Sequence, residues 1–341
     1  MKTTLLFLSV FLSVNLFGQY TQIPDSNFEY ALLSLGLDDF PDGQVLTSNI
    51  DSLTHLDVSS KSISNLTGIE DFIALVVLDC SSNQLTSLNV SQNSVLMELN
   101  CRNNQLTTLN VSQNSNLTSL HCGENQLTQL NINGAEILDY LRCYDNNLTT
   151  LDVSQNTALT RLSCTSNQLT NLDVTQNTAL YNLNCTGNNI QELDLSQNTA
   201  LFSLDCSINQ LTSLDLSQNT ALTNLFFDYS PLLTCLNVKN GNNTIITDFW
   251  LNNNPNLTCI EVDDPAYSTA NWTNIDPQTS FSENCNYPSS CFTTSLTELT
   301  TSKNLIQILD LMGRETTFKP NTPLIYVYDD GSIEKVFSVE Y

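Results

Sequence analysis

Basic side chains are scarce. Lys and Arg number 10 against 35 Asp and Glu, which leaves a formal net charge of −25. Such a surface cannot neutralise phosphates, so nucleic acid is excluded as a partner, and adsorption to anionic lipid is disfavoured. Charged residues of both signs make up only 13% of the chain. Asn, Gln, Ser and Thr carry the polar surface, and the many Asn-x-Ser/Thr triplets follow from that composition rather than from glycosylation. Histidine is nearly absent: His55 and His121 are the only two. There is no Gly-rich phosphate loop, no H-E-x-x-H and no G-x-S-x-G. These absences argue against an enzyme, and no cofactor is expected. Long hydrophobic runs are missing too. The longest, residues 5–17, is too short for an ordinary transmembrane helix. With Lys2 before it and Gly18 after it, residues 1–18 read as a signal peptide, and the remainder as exported without a transmembrane segment.

Cysteine, by contrast, recurs in step. Cys80, Cys101, Cys122, Cys143, Cys164, Cys185 and Cys206 stand 21 residues apart. One period reads L-x-x-L-x-C-x-x-N-x-L-x-x-L-D/N-V-S-x-N, first as Leu75, Leu78, Cys80, Asn83, Leu85, Leu88, Asn89, Val90, Ser91 and Asn93. Leu78 and Cys80 are two apart and share one face of a strand. A unit this short cannot bury its leucines alone; stacked copies make one continuous core, with successive units pairing as parallel strands. The cysteine column reads as small buried hydrophobes in a slot that other apolar residues also fit, because the next position in the series is Phe227 and no C-x-x-C metal pattern occurs.

The Leu75-x-x-Leu78-x-Cys80-x-x-Asn83 pattern resembles the leucine-rich repeat, and its short coil resembles the internalin-like form. The resemblance runs from Leu75 to Leu222. It implies that the column Asn83, Asn104, Asn125, Asn146, Asn167, Asn188 and Asn209 turns inward and bonds the backbone of neighbouring coils. The expected fold is a mostly β solenoid, a leucine-rich-repeat array of about ten coils of 21–22 residues. Parallel strands should line its concave face, with a short helical N-terminal cap and a small C-terminal β-domain.

The expected boundaries are an N-terminal cap at 19–52, the solenoid at 53–262, a C-terminal cap at 263–291, a linker at 292–303 and a final domain at 304–341. In the first cap, Ser26-x-x-Glu29 fits a capping box, Gly36 a helix stop, and Phe28, Ala31, Leu32 and Leu35 one apolar face. Leu233 to Val238 and Leu257 to Val262 read as two irregular final coils, with Trp272 and Phe281 plugging the open core. Cys235, Cys259, Cys285 and Cys291 leave the period; in an exported protein they suggest one or two disulfides, with three full pairings open.

Alternating apolar runs around Asp330-Gly331 predict a β-hairpin after one earlier strand. Ile308-x-Asp310-x-x-Gly313-Arg314-Glu315, Asn321, Tyr326-x-Tyr328, Asp330-Gly331 and Lys335 resemble the type A C-terminal sorting domain of the Bacteroidota type IX secretion system. The resemblance implies recognition by that machinery, with Asp310, Gly313, Arg314, Asp330, Gly331 and Lys335 carrying the signal. Delivery to the cell surface or medium would follow, after removal of the signal peptide and sorting domain.

The positions three before, one before and one after each Cys slot face outward along the strands. Between Phe72 and Val238 the only arginines or lysines are Arg102, Arg142 and Arg161, and all three fall on these positions. So do His55, His121, Tyr140 and Tyr144. The seven residues together are the candidate ligand-binding strip, because Arg and Tyr dominate binding hot spots and a repeat array binds through its concave face. The expected role is a non-catalytic binding or adhesion scaffold for a protein or glycan. Its alternatives are an adaptor that assembles other proteins and a polysaccharide-docking accessory to a separate hydrolase. A further column, Asp152, Asp173, Asp194 and Asp215, could hold calcium to relieve its own repulsion; the simpler reading is that each Asp accepts a backbone N–H in its own turn. Asp38 to Gly43 partly resembles a calcium loop, but Phe40 sits at its third position and Asn49 where a closing Glu belongs.

Overall fold

The computed structural model describes residues 19–289, 291, 292, 305–309, 314–317, 324–328 and 333–336. The chain divides into two units, Met1–Phe292 and Thr293–Tyr341. The first is a parallel β-solenoid.

Its long sheet has 11 strands. In chain order they are His55–Asp57, Val77–Asp79, Glu98–Asn100, Ser119–His121, Tyr140–Arg142, Arg161–Ser163, Asn182–Asn184, Ser203–Asp205, Asn224–Phe226, Asp248–Leu251 and Asn274–Ile275. Equivalent residues pair, Leu120 with Leu141 and Leu141 with Leu162, so every position of the repeat becomes a column along the solenoid. Short strands form on the other side of some coils. Thr108–Asn110 pairs with Gln129–Asn131, and Ser213–Asp215, Cys235–Asn237, Cys259–Glu261 and Ser280–Ser282 make a four-stranded sheet. The segments around Cys235 and Cys259 therefore belong to this second side. Leu236 pairs with Leu214, not with a Leu of the long sheet. The long sheet instead continues through Asp248–Leu251 and Asn274–Ile275, past residue 262.

The leucine columns are buried along the array apart from the half-buried Leu53, Leu88 and Leu130, and all seven periodic cysteines are 0% exposed. Each buried Leu contributes about 1.5–3 kcal/mol. The cysteines are unpaired, and Val58, Phe227 and Leu251 fill the same slot in other coils. Burial pushes the thiols up, to about 12 for Cys101 and Cys143, so the column stays protonated and is packing rather than chemistry.

The asparagine column does turn inward. Asn146 Nδ2 donates to the carbonyls of Cys122 and Cys143, each at 3.1 Å, and its Oδ1 accepts from Leu127 N at 2.8 Å. The same set recurs at Asn104, Asn167, Asn188 and Asn209. The last asparagine of the repeat forms a second buried column. Asn156 Nδ2 donates to Ile132 O at 3.1 Å and Ala135 O at 2.7 Å, and Asn93, Asn114, Asn177, Asn198 and Asn219 act alike. One coil has Ala135 in this column, and there the backbone closes in: a Cβ on Gly134 would stand 1.9 Å from Ser112 O.

The N-terminal helix is Ser26–Ser34. Asp25, not Ser26, is its N-cap, accepting from Asn27 N at 2.9 Å and Phe28 N at 3.1 Å. Glu29 is turned away from the helix start and accepts from Gly43 N. Gly36 ends the helix with φ 73°. Phe28, Ala31 and Leu32 are buried, whereas Leu35 is 49% exposed, because it is the C-cap and has left the helical face. At the other end Trp272, 2% exposed, stacks on Phe249 with centroids 4.2 Å apart, and Phe281 meets it edge-on at 5.7 Å. Cys235 pairs with Cys291 and Cys259 with Cys285. Among the described residues no helix is long and apolar enough to cross a membrane.

In the second unit Leu305–Leu309, Leu324–Tyr328 and Ile333–Val336 form an antiparallel sheet. Val327 pairs with Ile333. Arg314 is exposed and Lys335 lies in the last strand. Asp310, Gly313, Asp330 and Gly331 lie outside the described residues, as do residues 1–18 and, apart from Phe292, the expected linker at 292–303.

Candidate functional site

Strand parity puts one residue of each triplet in the core and two outside. In Tyr140–Arg142 the buried residue is Leu141; Arg142 is exposed and Tyr140 half-buried. Arg161 is the register partner of Tyr140. Both guanidinium groups settle against that ring, with Cζ 4.5 Å (Arg142) and 5.7 Å (Arg161) from its centroid. An arginine over an aromatic face is partly desolvated yet keeps its donors free.

One coil back, His121 Nε2 lies 3.1 Å from Tyr144 Oη, and the two rings are 5.6 Å apart. Tyr144 lies across Gly123: a Cβ there would stand 2.9 Å from Tyr144 Cζ, so any other residue would push the ring from this position. Arg102 is spent differently. Its Nε donates to Glu124 Oε1 at 3.0 Å and its Nη2 to the same oxygen, in the one ion pair among the described residues. The structure thus brings His121, Tyr140, Arg142, Tyr144 and Arg161 together and leaves Arg102 beside them, neutralised. It does not bring in His55, which lies three strand steps from His121, roughly 14 Å.

Burial, then the charges of Arg142 and Arg102, push His121 down to about 4. Between that value and the ordinary 6.5 the unfolded chain binds a proton that the folded one refuses. Stability therefore falls as pH drops through this window and levels off below it. In an imidazole NMR titration His121 should show a midpoint near 4, and the midpoint should rise in Arg142→Ala. A midpoint unmoved by that substitution would show that the guanidinium does not act on the ring.

A depression of about 220 Å³ opens here, lined by Asp79, Glu98, Asn100, His121, Tyr140 and Arg142 among others. Three further features were not singled out from the sequence. Tyr181 and Phe202 stack at 4.9 Å and 7°, from the position just before each strand, which the parity argument does not cover. Trp250, 44% exposed, stands in register with Phe226 on the outward face. A groove of about 500 Å³ near the last coils is lined by Tyr229, Pro231, Asn253, Pro255, Asp276 and Gln278.

Asp152, Asp173, Asp194 and Asp215 each accept from the backbone N–H two residues on, at 2.9–3.0 Å. Asn89, Asn110 and Asn131 do the same in the earlier coils. The column is turn chemistry. Among the described residues no group of three His, Cys, Asp or Glu side chains could hold a metal ion.

No family model matches the chain, and no curated protein does. Solved structures do. The Listeria monocytogenes internalin inlF has a TM-score of 0.52 at 17% identity, over 80% of this chain and 100% of that one. The leucine-rich-repeat ectodomain of the Arabidopsis thaliana receptor kinase GASSHO1/SCHENGEN3, solved in complex with Casparian strip integrity factor 2, has a TM-score of 0.56 at 19% identity. That match covers 72% of this chain and 32% of the ectodomain chain. The functional domain of InlJ from Listeria monocytogenes, which includes a cysteine ladder, has a TM-score of 0.40 at 23% identity over 95% and 99%. At such identities the likeness is one of fold: an internalin-like leucine-rich-repeat solenoid.

Proposed function

We propose that the protein is an exported scaffold, without catalysis of its own, that holds an acidic group of a partner against the outward face of its long sheet. The observation that carries this is the Arg142–Tyr140–Arg161 group. In a chain of net charge −25, neither guanidinium is paired with a carboxylate among the described residues, where the one ion pair is made by Arg102. Two cations left free on one ring, in a surface crowded with carboxylates, keep their donors for something else. The rigid, amphipathic Tyr and Arg side chains are those that anchor interfaces. Stacked Tyr181 and Phe202 favour a glycan as a second reading, but each ring spends one face on the other.

The test is a surface-protein pull-down and glycan array with wild type and the Arg142→Ala/Arg161→Ala variant. The expected result is binding by wild type that the variant loses by tenfold or more. Binding that survives in full would move the site off this strip.

Export is supported by the two disulfides, which persist in oxidising compartments. Delivery by the type IX secretion machinery rests on the motif residues of 304–341. A chain truncated after Cys291 should stay in the periplasm; normal surface delivery of that truncation would refute the sorting role.

A further inference from the structure

The charges on the outward face are ordered. Asp57, Asp79 and Glu98 occupy its first strands, and Arg142 and Arg161 its middle, where Asp139 just ahead of the Tyr140 strand accepts from Thr160. Asp205, Asp228 and Asp248 stand in or beside the later strands. Arg102 adds nothing net, because Glu124 neutralises it. Glu98 and Asp248 are exposed, and Asp79, Asp205 and Asp228 half-buried. Glu98 and Arg142 are two strands apart, as are Arg161 and Asp205, which is roughly 10 Å on either side of the arginine pair. The depression of about 220 Å³ spans one such junction. Asp79 and Glu98 line one side, and His121, Tyr140 and Arg142 the other.

From this order we infer that the partner is a polypeptide whose contacting segment carries an acidic group flanked on both sides by basic ones, and not a uniformly anionic polymer. The inference rests on the reading that this face binds. A polymer that sets one anion on Arg142 and Arg161 puts its next anions over Glu98 and Asp205, where like charges meet and the encounter is opposed. A chain with a cation in those places meets opposite charges throughout. In the depression beside Arg142 it engages a carboxylate and a guanidinium at once. An extended peptide covers roughly 10 Å in three residues, so the matching spacing is short enough for one strand.

The probes are three fluorescent eight-residue peptides, titrated against the full chain at low ionic strength: Lys-Ser-Thr-Glu-Glu-Thr-Ser-Lys, Glu-Ser-Thr-Glu-Glu-Thr-Ser-Glu and Glu-Ser-Thr-Lys-Lys-Thr-Ser-Glu. The Lys-flanked peptide should bind about fivefold or more tighter than the all-acidic one, and the inverted peptide weakest. The preference should shrink in Asp79→Asn/Glu98→Gln and vanish when Asp205→Asn is added, while Arg142→Ala/Arg161→Ala should abolish binding of both Glu-centred peptides. All-acidic binding as tight as Lys-flanked, or tighter, overturns the inference and leaves the anion-binding reading standing. Binding by no peptide, or binding indifferent to the arginines, overturns that reading and the inference with it.

Discussion

Replacing Asn146 by alanine lowers the stability of the solenoid by about 3 kcal/mol, and replacing Asn167 as well costs more than twice the single loss. The first effect follows from what Asn146 holds. Its Oδ1 accepts from Leu127 N at 2.8 Å, and without it that buried donor has no partner. Its Nδ2 donates to Cys122 O and Cys143 O, but each carbonyl has a second asparagine. Cys122 O also accepts from Asn125 and Cys143 O from Asn167. The single substitution therefore orphans one group and weakens two. The double substitution strips Cys143 O of both asparagine donors and leaves Leu148 N bare, since Asn167 Oδ1 held it. The coupling should be roughly 1–2 kcal/mol. Denaturant midpoints of the two single variants and the double variant measure it, and simple additivity would show that the ladder bonds act independently.

Truncating Trp272 to alanine costs about 3–5 kcal/mol, but the loss is local. The indole closes the last coil, stacked on Phe249 with Phe281 at its edge, and its Nε1 donates to Ile246 O at 3.2 Å. A solenoid is held by contacts between neighbours, so damage at one end frays that end first. Amide hydrogen exchange should lose protection in Asp248–Leu251 and Asn274–Ile275 while Val77–Asp79 keeps its own. A uniform loss along the array would mean that the coils unfold as one cooperative block.

The fold was legible because one period repeats. A spacing of 21 residues sets the register of every strand, and parity then says which residues face out. Columns such as Cys80 to Cys206 and Asn83 to Asn209 could be read directly for the same reason. The places where the reading failed are those where the repeat is replaced by local competition. Asp25 took the N-cap because its carboxylate also holds Ser64 N, a contact 39 residues away that no local motif contains. The Leu-Thr-Cys-Leu segment at Leu233 has the leucine spacing of either half of a coil, and only the pairing of Leu236 with Leu214 decides between them. The disulfide pairing was open because it depends on how the irregular last coils stack.

On the outward face, Arg142, Tyr140 and Arg161 were found by position, and their contact follows from register. The fate of Arg102 was not legible, because Glu124 lies on the turn beyond the strand and outside the outward set. The role of Gly123 was equally hidden: it is a space for the Tyr144 ring, and spaces leave no residue to read.

A photo-crosslinking amino acid placed at Ser163, on the outward face beside Arg161, and separately at Gln218, exposed beyond the end of a second-side strand, would locate the binding face on the whole molecule. After incubation with a cell-surface protein fraction, the account predicts one discrete adduct from position 163, lost in Arg142→Ala/Arg161→Ala, and none from 218. A discrete adduct from 218 alone, or an adduct from 163 indifferent to the arginines, would contradict it.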